Sequence, residues 1–182
     1  KQQPHRREMY RVLLGLIAVT GLRVSEALKL KYSDVQENGV LFIRATKFAK
    51  SRLVPLHPTV VRELNRYLEM RHQWTFDHEY IFTARGGAPL ALQTLHCTFY
   101  TLLKIAGIAP ERVPRPRIHD HRHTFATRAL EQSPTDRKGV VKHFVALSTY
   151  LGHVDIKATY WYLEATPDLM RGMAESVEKF VG

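Results

Sequence analysis

Two β-rich stretches lie close together in this chain, and this pairing constrains the fold more than any other sequence feature. Residues 39–46 (GVLFIRAT) and 51–56 (SRLVPL) lie on either side of residues 47–50 (KFAK). Two such stretches around a short polar segment predict an antiparallel hairpin with a basic tip. Residues 80–83 are a candidate third short strand. We therefore expect an α+β fold that is mainly α-helical, with one small antiparallel sheet.

Most of the remaining chain has the apolar spacing of helices. Between residues 6 and 20, apolar residues recur at intervals of three or four positions. Gly21 is placed to end this helix, and a short helix is expected from Val24 to about Leu30. Arg23 then lies at a tight corner between two helices. Further helices are predicted from Pro58, over about 92–106, from His119 through Leu130, over 139–151, around Tyr162 and over 168–181.

The charge of the chain indicates a polyanionic partner. The formal net charge is +10 over 182 residues, a length that suits one domain. Residues 1–60 hold eleven Lys and Arg against four Asp and Glu, a surplus of +7, whereas residues 61–120 and 121–182 contribute +2 and +1. Much of the excess therefore surrounds the corner and the hairpin, which favours nucleic-acid binding over a generally basic surface.

Cysteine content and hydropathy restrict the cellular setting. Cys97 is the only cysteine, so no intrachain disulfide can form, and we expect this residue to be buried. No apolar run approaches the ~20 residues that a membrane span needs. These features predict a cytoplasmic protein without a membrane partner, and its positive charge favours association with the nucleoid when it is bound to DNA. Because the chain begins at Lys1, we interpret it as a fragment or a processed form.

Four separated groups of polar residues have the chemistry needed to hold and break a phosphodiester. The groups are Arg23 in TGLRVSEAL, Lys47 in TKFAKSRLVPL, His119 with Arg122 in HDHRHTFAT, and His153 with Tyr162 in LGHVDIKATYWY. Guanidinium groups bind two phosphate oxygens and remain charged. A histidine can transfer a proton, a lysine near other cations is a better proton donor, and a tyrosine can act as the nucleophile.

One alternative is disfavoured by the residues present, and two others remain open on spacing alone. His119 and His123 imitate a zinc site, but HDHRH lacks the Glu of HExxH and no cysteine cluster accompanies it, so no metal or other cofactor is predicted. Lys50 competes with Lys47, since both lie in the same turn. Tyr160 and Tyr162 lie about 200° apart on a helix, so only one of them can face the phosphate.

Together, the four segments resemble the boxes of the tyrosine recombinase (phage integrase) family, in the family's order and over most of the chain. The resemblance implies that Tyr162, nine residues after the LGH histidine, is the nucleophile, and that Lys47 is the hairpin lysine. It also implies that Glu26, three residues after Arg23, gives structural support. The catalytic residues implied are Arg23, Lys47, His119, Arg122, His153 and Tyr162, and the predicted DNA contacts are Lys50, Arg52, Arg115 and Arg117.

The activity implied is that of a site-specific recombinase or integrase, which cleaves and rejoins DNA through a 3′-phosphotyrosine without metal or ATP. Residues 1–182 would be the catalytic domain, with an upstream core-binding domain outside this chain. The partners implied are double-stranded DNA with specific recombination sites and a homo-tetramer that exchanges a C-terminal helix, about 168–181. The alternatives are an enzyme like type IB topoisomerases or telomere resolvases, and a non-catalytic DNA-binding module.

Overall fold

A computed structural model describes residues 4–44, 51–73, 79–84, 87–108, 115–134, 136–152 and 159. Six α-helices, one short 3-10 helix (Tyr32–Asp34) and one small sheet make up this part of the chain, which confirms the mainly α-helical fold with a small antiparallel sheet. The helices are α1 (Pro4–Thr20), α2 (Val24–Leu28), α3 (Pro58–His72), α4 (Leu92–Ile105), α5 (Asp120–Glu131) and α6 (Arg137–Leu151). None of them is long and apolar enough to cross a membrane.

The sheet consists of β1 (Val35–Gln36), β2 (Val40–Ile43) and β3 (Arg52–Pro55), in the order β1-β2-β3 and antiparallel throughout. The predicted hairpin is therefore confirmed, although its tip at 45–50 lies outside the described residues. Ile43 pairs with Arg52, and Leu41 pairs with Val54. This register buries Leu41, Ile43 and Val54 on one face of the sheet. It also places Arg52 at the first position of β3.

The prediction of a strand at residues 80–83 is wrong. Tyr80 and Thr83 form only isolated bridges, with Lys31 and Pro89 respectively. Between them, the Ile81 N–H donates to the carbonyl of Leu30, and Phe82 accepts from the N–H of Leu90. Because each of these buried residues bonds a different segment, no continuous ladder forms. The third strand is instead β1, which is too short to leave a clear pattern in the sequence.

The main core combines buried residues of α1, α2, the sheet, α3 and α4, and α5 packs against α1. The apolar residues of α1 that recur at helical spacing are buried: Met9, Val12, Leu13, Leu16 and Ile17. A smaller apolar cluster joins α5 to α6 through residues such as Leu130, Phe144 and Leu151. Helix α6 also packs against β3. The ends of α1, α5 and α6 are thereby held in one region.

Most helix ends agree with the sequence analysis. Gly21 follows α1 with φ +61° and Gly152 follows α6 with φ +67°, backbone conformations that suit glycine. Helix α6 begins two residues earlier than predicted because the Asp136 carboxylate accepts a hydrogen bond from the Gly139 N–H. Cys97 is exposed on α4, so its predicted burial is wrong. The predicted helices around Tyr162 and over 168–181 fall outside the described residues.

Candidate active site

Arg23 occupies the corner between α1 and α2, as predicted. Its backbone is extended (φ −64°, ψ 142°), and its N–H donates to Glu26 Oε2 at 2.9 Å, so the Glu26 carboxylate caps the start of α2. The same carboxylate accepts from Arg23 Nη1 at 3.0 Å. One third of the Arg23 side chain remains exposed. The short loop and the Glu26 carboxylate together fix the direction in which the Arg23 guanidinium points.

Arg122 is a buried cation, with only 2% of its surface exposed. From α5, its Nη1 donates to the carbonyl of Gly21 at 2.6 Å and its Nη2 donates to the carbonyl of Leu151 at 2.7 Å. The first acceptor lies two residues before Arg23, and the second lies two residues before His153. One side chain thus connects three of the four sequence motifs, although they lie far apart in the chain.

Three arginines bond successive carbonyls at the end of α6. Arg52 Nε donates to Tyr150 O at 2.7 Å, Arg122 to Leu151 O, and Arg23 Nη2 to Gly152 O at 3.0 Å. The last carbonyls of a helix lack intrahelical donors and carry partial negative charge, so cations are stabilised there. We call Arg23, Arg52, Arg122 and Glu26 the arginine cluster. It fixes the turn from which the chain continues to His153.

Glu26 is the anion at the centre of the arginine cluster, and its side chain is fully buried. Burial by itself raises the pKa of Glu26, but hydrogen bonds and charge from Arg52, with further hydrogen bonds from Arg23, outweigh it and lower the pKa to about 2. The carboxylate is therefore ionised at neutral pH. These contacts confirm the expectation that Glu26 gives structural support.

His119 lies just before α5, with its ring edge-on to that of His123 at a centroid distance of 4.8 Å. Burial lowers the pKa of His119, and the nearby positive groups of His123, Arg122 and Arg117 lower it further. The imidazole is consequently neutral at neutral pH. A neutral imidazole can accept a proton, as the proton transfer predicted for this residue requires.

Arg115 and Arg117 lie on the exposed approach to α5. The Arg115 guanidinium stacks over the ring of Tyr100 at 4.1 Å, beside a cavity of about 240 Å³ that includes Lys104. Arg117 forms a salt bridge with Asp120, whose carboxylate also accepts from the Arg117 backbone N–H. Both guanidinium groups are accessible, as a phosphate contact requires.

Arg52 differs from Arg115 and Arg117 because only 9% of its side chain is exposed. Its Nη1 and Nη2 donate to the two Glu26 oxygens at 2.9 and 2.8 Å. The sequence analysis missed this partnership, because no spacing pattern links β3 to a residue 26 positions earlier.

Five further predicted or competing site residues lie outside the described residues: Lys47, Lys50, His153, Tyr160 and Tyr162. Within the described ranges, no three His, Cys, Asp or Glu side chains gather to hold a metal ion.

Comparison with known sequences identifies relatives of this chain. The sequence model of the phage integrase family matches residues 3–168. "Putative integrase/recombinase y4rB" of Sinorhizobium fredii is 40% identical over 175 residues, which are 93% of this chain and 56% of that protein. Tyrosine recombinase XerA of Thermococcus kodakarensis is 30% identical over 183 residues, covering 98% of this chain and 60% of the relative. The chain thus spans little more than half the length of these curated relatives.

Solved structures share the fold. The XerH site-specific recombinase, in a pre-cleavage complex with its difH substrate, aligns with a TM-score of 0.69 and 26% identity over 89% of this chain and 44% of that one. The XerA recombinase aligns with a TM-score of 0.70 and 25% identity over 97% of this chain and 64% of that one. The helices and the small sheet therefore follow an architecture known from recombinases.

Proposed function

This chain belongs to the phage integrase family, and we propose that residues 1–182 form the catalytic domain of a site-specific DNA recombinase or integrase. The reaction proposed is cleavage and rejoining of DNA strands through a 3′-phosphotyrosine. Family membership supports the reaction class, and the DNA-bound relative XerH supports double-stranded DNA as the substrate. The surplus of positive charge in residues 1–60 is consistent with that substrate.

The observation that carries the proposal is the position of Arg122. Its two hydrogen bonds, to Gly21 O and Leu151 O, bring the Arg23 corner and the end of α6 to one place. DNA binding alone does not require the Arg23 corner and the end of α6 to meet around buried cations, which are expensive to desolvate. A phosphoryl-transfer enzyme needs this arrangement, since fixed positive groups stabilise the charge that develops on the phosphoryl oxygens.

The proposed roles follow the chemistry of each residue. Arg23 and Arg122, with His153, hold the scissile phosphate. The Tyr162 hydroxyl attacks phosphorus and loses its proton to His119 or to water held by it, while the bond from phosphorus to the 5′ oxygen breaks. Lys47 gives that leaving oxygen its proton. The free 5′ hydroxyl of a partner strand then attacks the phosphotyrosine, which restores the phosphodiester and releases Tyr162.

DNA binding and assembly complete the proposal. Arg115 and Arg117 are exposed and basic, and with Lys50 they would contact backbone phosphates around the cleavage site. Such contacts give affinity and register rather than sequence recognition. We also propose that the full protein works as a homo-tetramer on paired DNA sites, with residues 168–181 as the segment exchanged between subunits.

The test is a covalent trapping assay. The full-length protein is incubated in EDTA with a suicide substrate, a DNA duplex nicked near the cleavage position of its own recombination site, and adducts are resolved on denaturing gels. We expect a protein–DNA adduct for the wild type and for Tyr160→Phe, and none for Tyr162→Phe, because only the Tyr162 oxygen would form the covalent bond.

Each other outcome has a definite meaning. Loss of the adduct only in Tyr160→Phe would transfer the nucleophile to that residue. If the wild type forms no adduct on its native sites, the chain is a DNA-binding module, and the recombinase proposal fails. An adduct that forms only when Mg²⁺ replaces EDTA would show that the positive side chains do not suffice for cleavage.

A further inference from the structure

All three guanidinium nitrogens of Arg52 donate hydrogen bonds within the arginine cluster. The two terminal nitrogens bind both oxygens of Glu26, and Nε binds the carbonyl of Tyr150. A forked contact of this kind fixes both the orientation and the distance of the two groups that it joins. Arg52 therefore sets the position of Glu26 relative to the last turn of α6.

Both groups that Arg52 positions also contact Arg23. Glu26 binds the backbone N–H and the Nη1 of Arg23, and the last turn of α6 supplies Gly152 O to its Nη2. A displacement of Glu26 or of that turn would thus move the exposed guanidinium. The three guanidinium nitrogens of Arg52 donate to Tyr150 O and to Glu26, so Arg52 acts on Arg23 through these two intermediaries.

Arg52 also changes the charge balance at the site. Glu26 carries one negative charge, which would neutralise Arg23 if the two formed an isolated pair. With Arg52 bound to the same carboxylate, the three residues together keep one positive charge. In a buried environment of low dielectric constant, that difference strongly affects the attraction of a phosphate. This net positive charge is available to a phosphate at Arg23, which is the partly exposed residue of the three.

The residue that follows α6, Gly152, leaves room for the Arg52 guanidinium. A Cβ at Gly152 would lie 2.8 Å from Arg52 Nη1, closer than real Cβ atoms approach other groups. Gly152 is thus needed for the approach of the guanidinium as well as for its positive φ. The residue that follows Gly152 is His153, to which the family resemblance gives a catalytic role.

We propose that Arg52 is a positioning residue for strand cleavage, which holds Glu26 and the end of α6 in place and balances the Glu26 charge so that Arg23 can attract the scissile phosphate. This inference rests on the recombinase function proposed above. Arg52 does not touch the phosphate itself. Its removal should therefore slow the chemical step more than it weakens the binding of DNA.

The experiment measures the single-turnover rate of adduct formation at saturating DNA, together with the Kd for DNA and the folded fraction, in the full-length protein. For Arg52→Gln we expect a rate loss of about 100-fold, as for a misplaced catalytic group, with a Kd within about threefold of wild type. Arg52→Lys should be only about tenfold slower than wild type, because its ammonium still balances Glu26 but cannot form the fork.

Arg71 supplies the matched control. It is also a buried arginine, and it bonds the carbonyls of Tyr80 and Ile81 and the hydroxyl of Thr83, away from the arginine cluster. Arg71→Gln and Arg71→Lys should lower thermal stability while the folded molecules cleave at the wild-type rate. If Arg52→Gln does not fold, the comparison of Arg52→Lys with Arg71→Lys replaces it.

Three results would overturn the inference. In the first, folded Arg52→Gln, or Arg52→Lys in its place, cleaves as fast as wild type. In the second, the Arg71 variants lose as much rate as the Arg52 variants, which would make the effect one of global stability. In the third, the wild type forms no adduct, and the recombinase proposal then fails as well. The first two results leave that proposal intact, so the two failures can be told apart.

Discussion

Two charged networks in this molecule contain four residues each, but they differ in the balance of positive and negative charge. On the surface, Glu8 and Arg11 of α1 meet Glu63 and Arg66 of α3, two anions against two cations. The arginine cluster contains three guanidinium groups and one carboxylate, a surplus of two positive charges, and the carboxylate binds two of the three. Backbone carbonyls at the end of α6 take the place of the missing anions.

The difference shows how a fold can keep positive charge inside a site. A surface network is solvated, so balanced charges meet there at little energetic cost and contribute little stability. A buried cation must have its lost hydration replaced, and an equal number of carboxylates would cancel the charge that a phosphate requires. Carbonyl dipoles satisfy the guanidinium donors without cancelling their charge. Four changes test this comparison, and they are ordered by expected effect.

The largest effect is expected from Glu26→Ala. Removing the buried carboxylate leaves Arg52 with two unpaired donors and Arg23 without its anchor, which should lower the free energy of unfolding by about 3–5 kcal/mol. Urea denaturation followed by circular dichroism measures this change. A loss no larger than that of a typical surface substitution would mean that the carbonyls alone satisfy the cluster.

A fall in pH should weaken the same contact. The pKa of Glu26 is about 2 in the folded protein and 4.5 when it is unperturbed, so its stabilisation is complete above about pH 4.5 and disappears as the pH falls through about 2. At ~1.4 kcal/mol for each pKa unit, the loss is up to about 3 kcal/mol. Unfolding free energies of wild type and Glu26→Gln between pH 2 and 6 measure it. Parallel curves for the two proteins would contradict this assignment.

Gly152→Ala tests the close contact between α6 and Arg52. The change forces alanine to a φ of +67°, at about 1–2 kcal/mol, and places its Cβ against the Arg52 guanidinium. Gly107→Ala is a matched control, since Gly107 has the same φ and no described atom within 4 Å of the added Cβ. Gly152→Ala should therefore lose more stability than Gly107→Ala in parallel urea titrations. Equal losses would show that Arg52 moves aside freely.

The smallest effect is expected from Arg66→Ala, in the surface network. Arg66 contacts Glu8 and Glu63 in solvent, where long side chains lose entropy on pairing and salt screens the charges. The unfolding midpoint should change little at low salt and not at all at 1 M salt. A loss comparable with that of Glu26→Ala would remove the distinction between the two networks.

Local patterns in the sequence predicted much of the fold. The apolar spacing of α1, the glycines after α1 and α6, and the paired stretches of the hairpin all act over a few residues, where backbone preferences and side-chain periodicity suffice. The order of the four motifs was enough to indicate the family. The third strand was misplaced and Cys97 was expected to be buried, because burial depends on which elements pack together rather than on residue type alone.

The sequence by itself determined the helices, the hairpin, the family and the chemical character of the candidate residues. Only the tertiary structure decided that Arg122 joins Gly21 to Leu151, and that Arg52 pairs with Glu26 rather than facing solvent. Every residue except proline has the same backbone donor and acceptor, so no sequence pattern marks which carbonyl a distant guanidinium will bind. That choice is made by the packing of α5, α6 and β3 around the Arg23 corner.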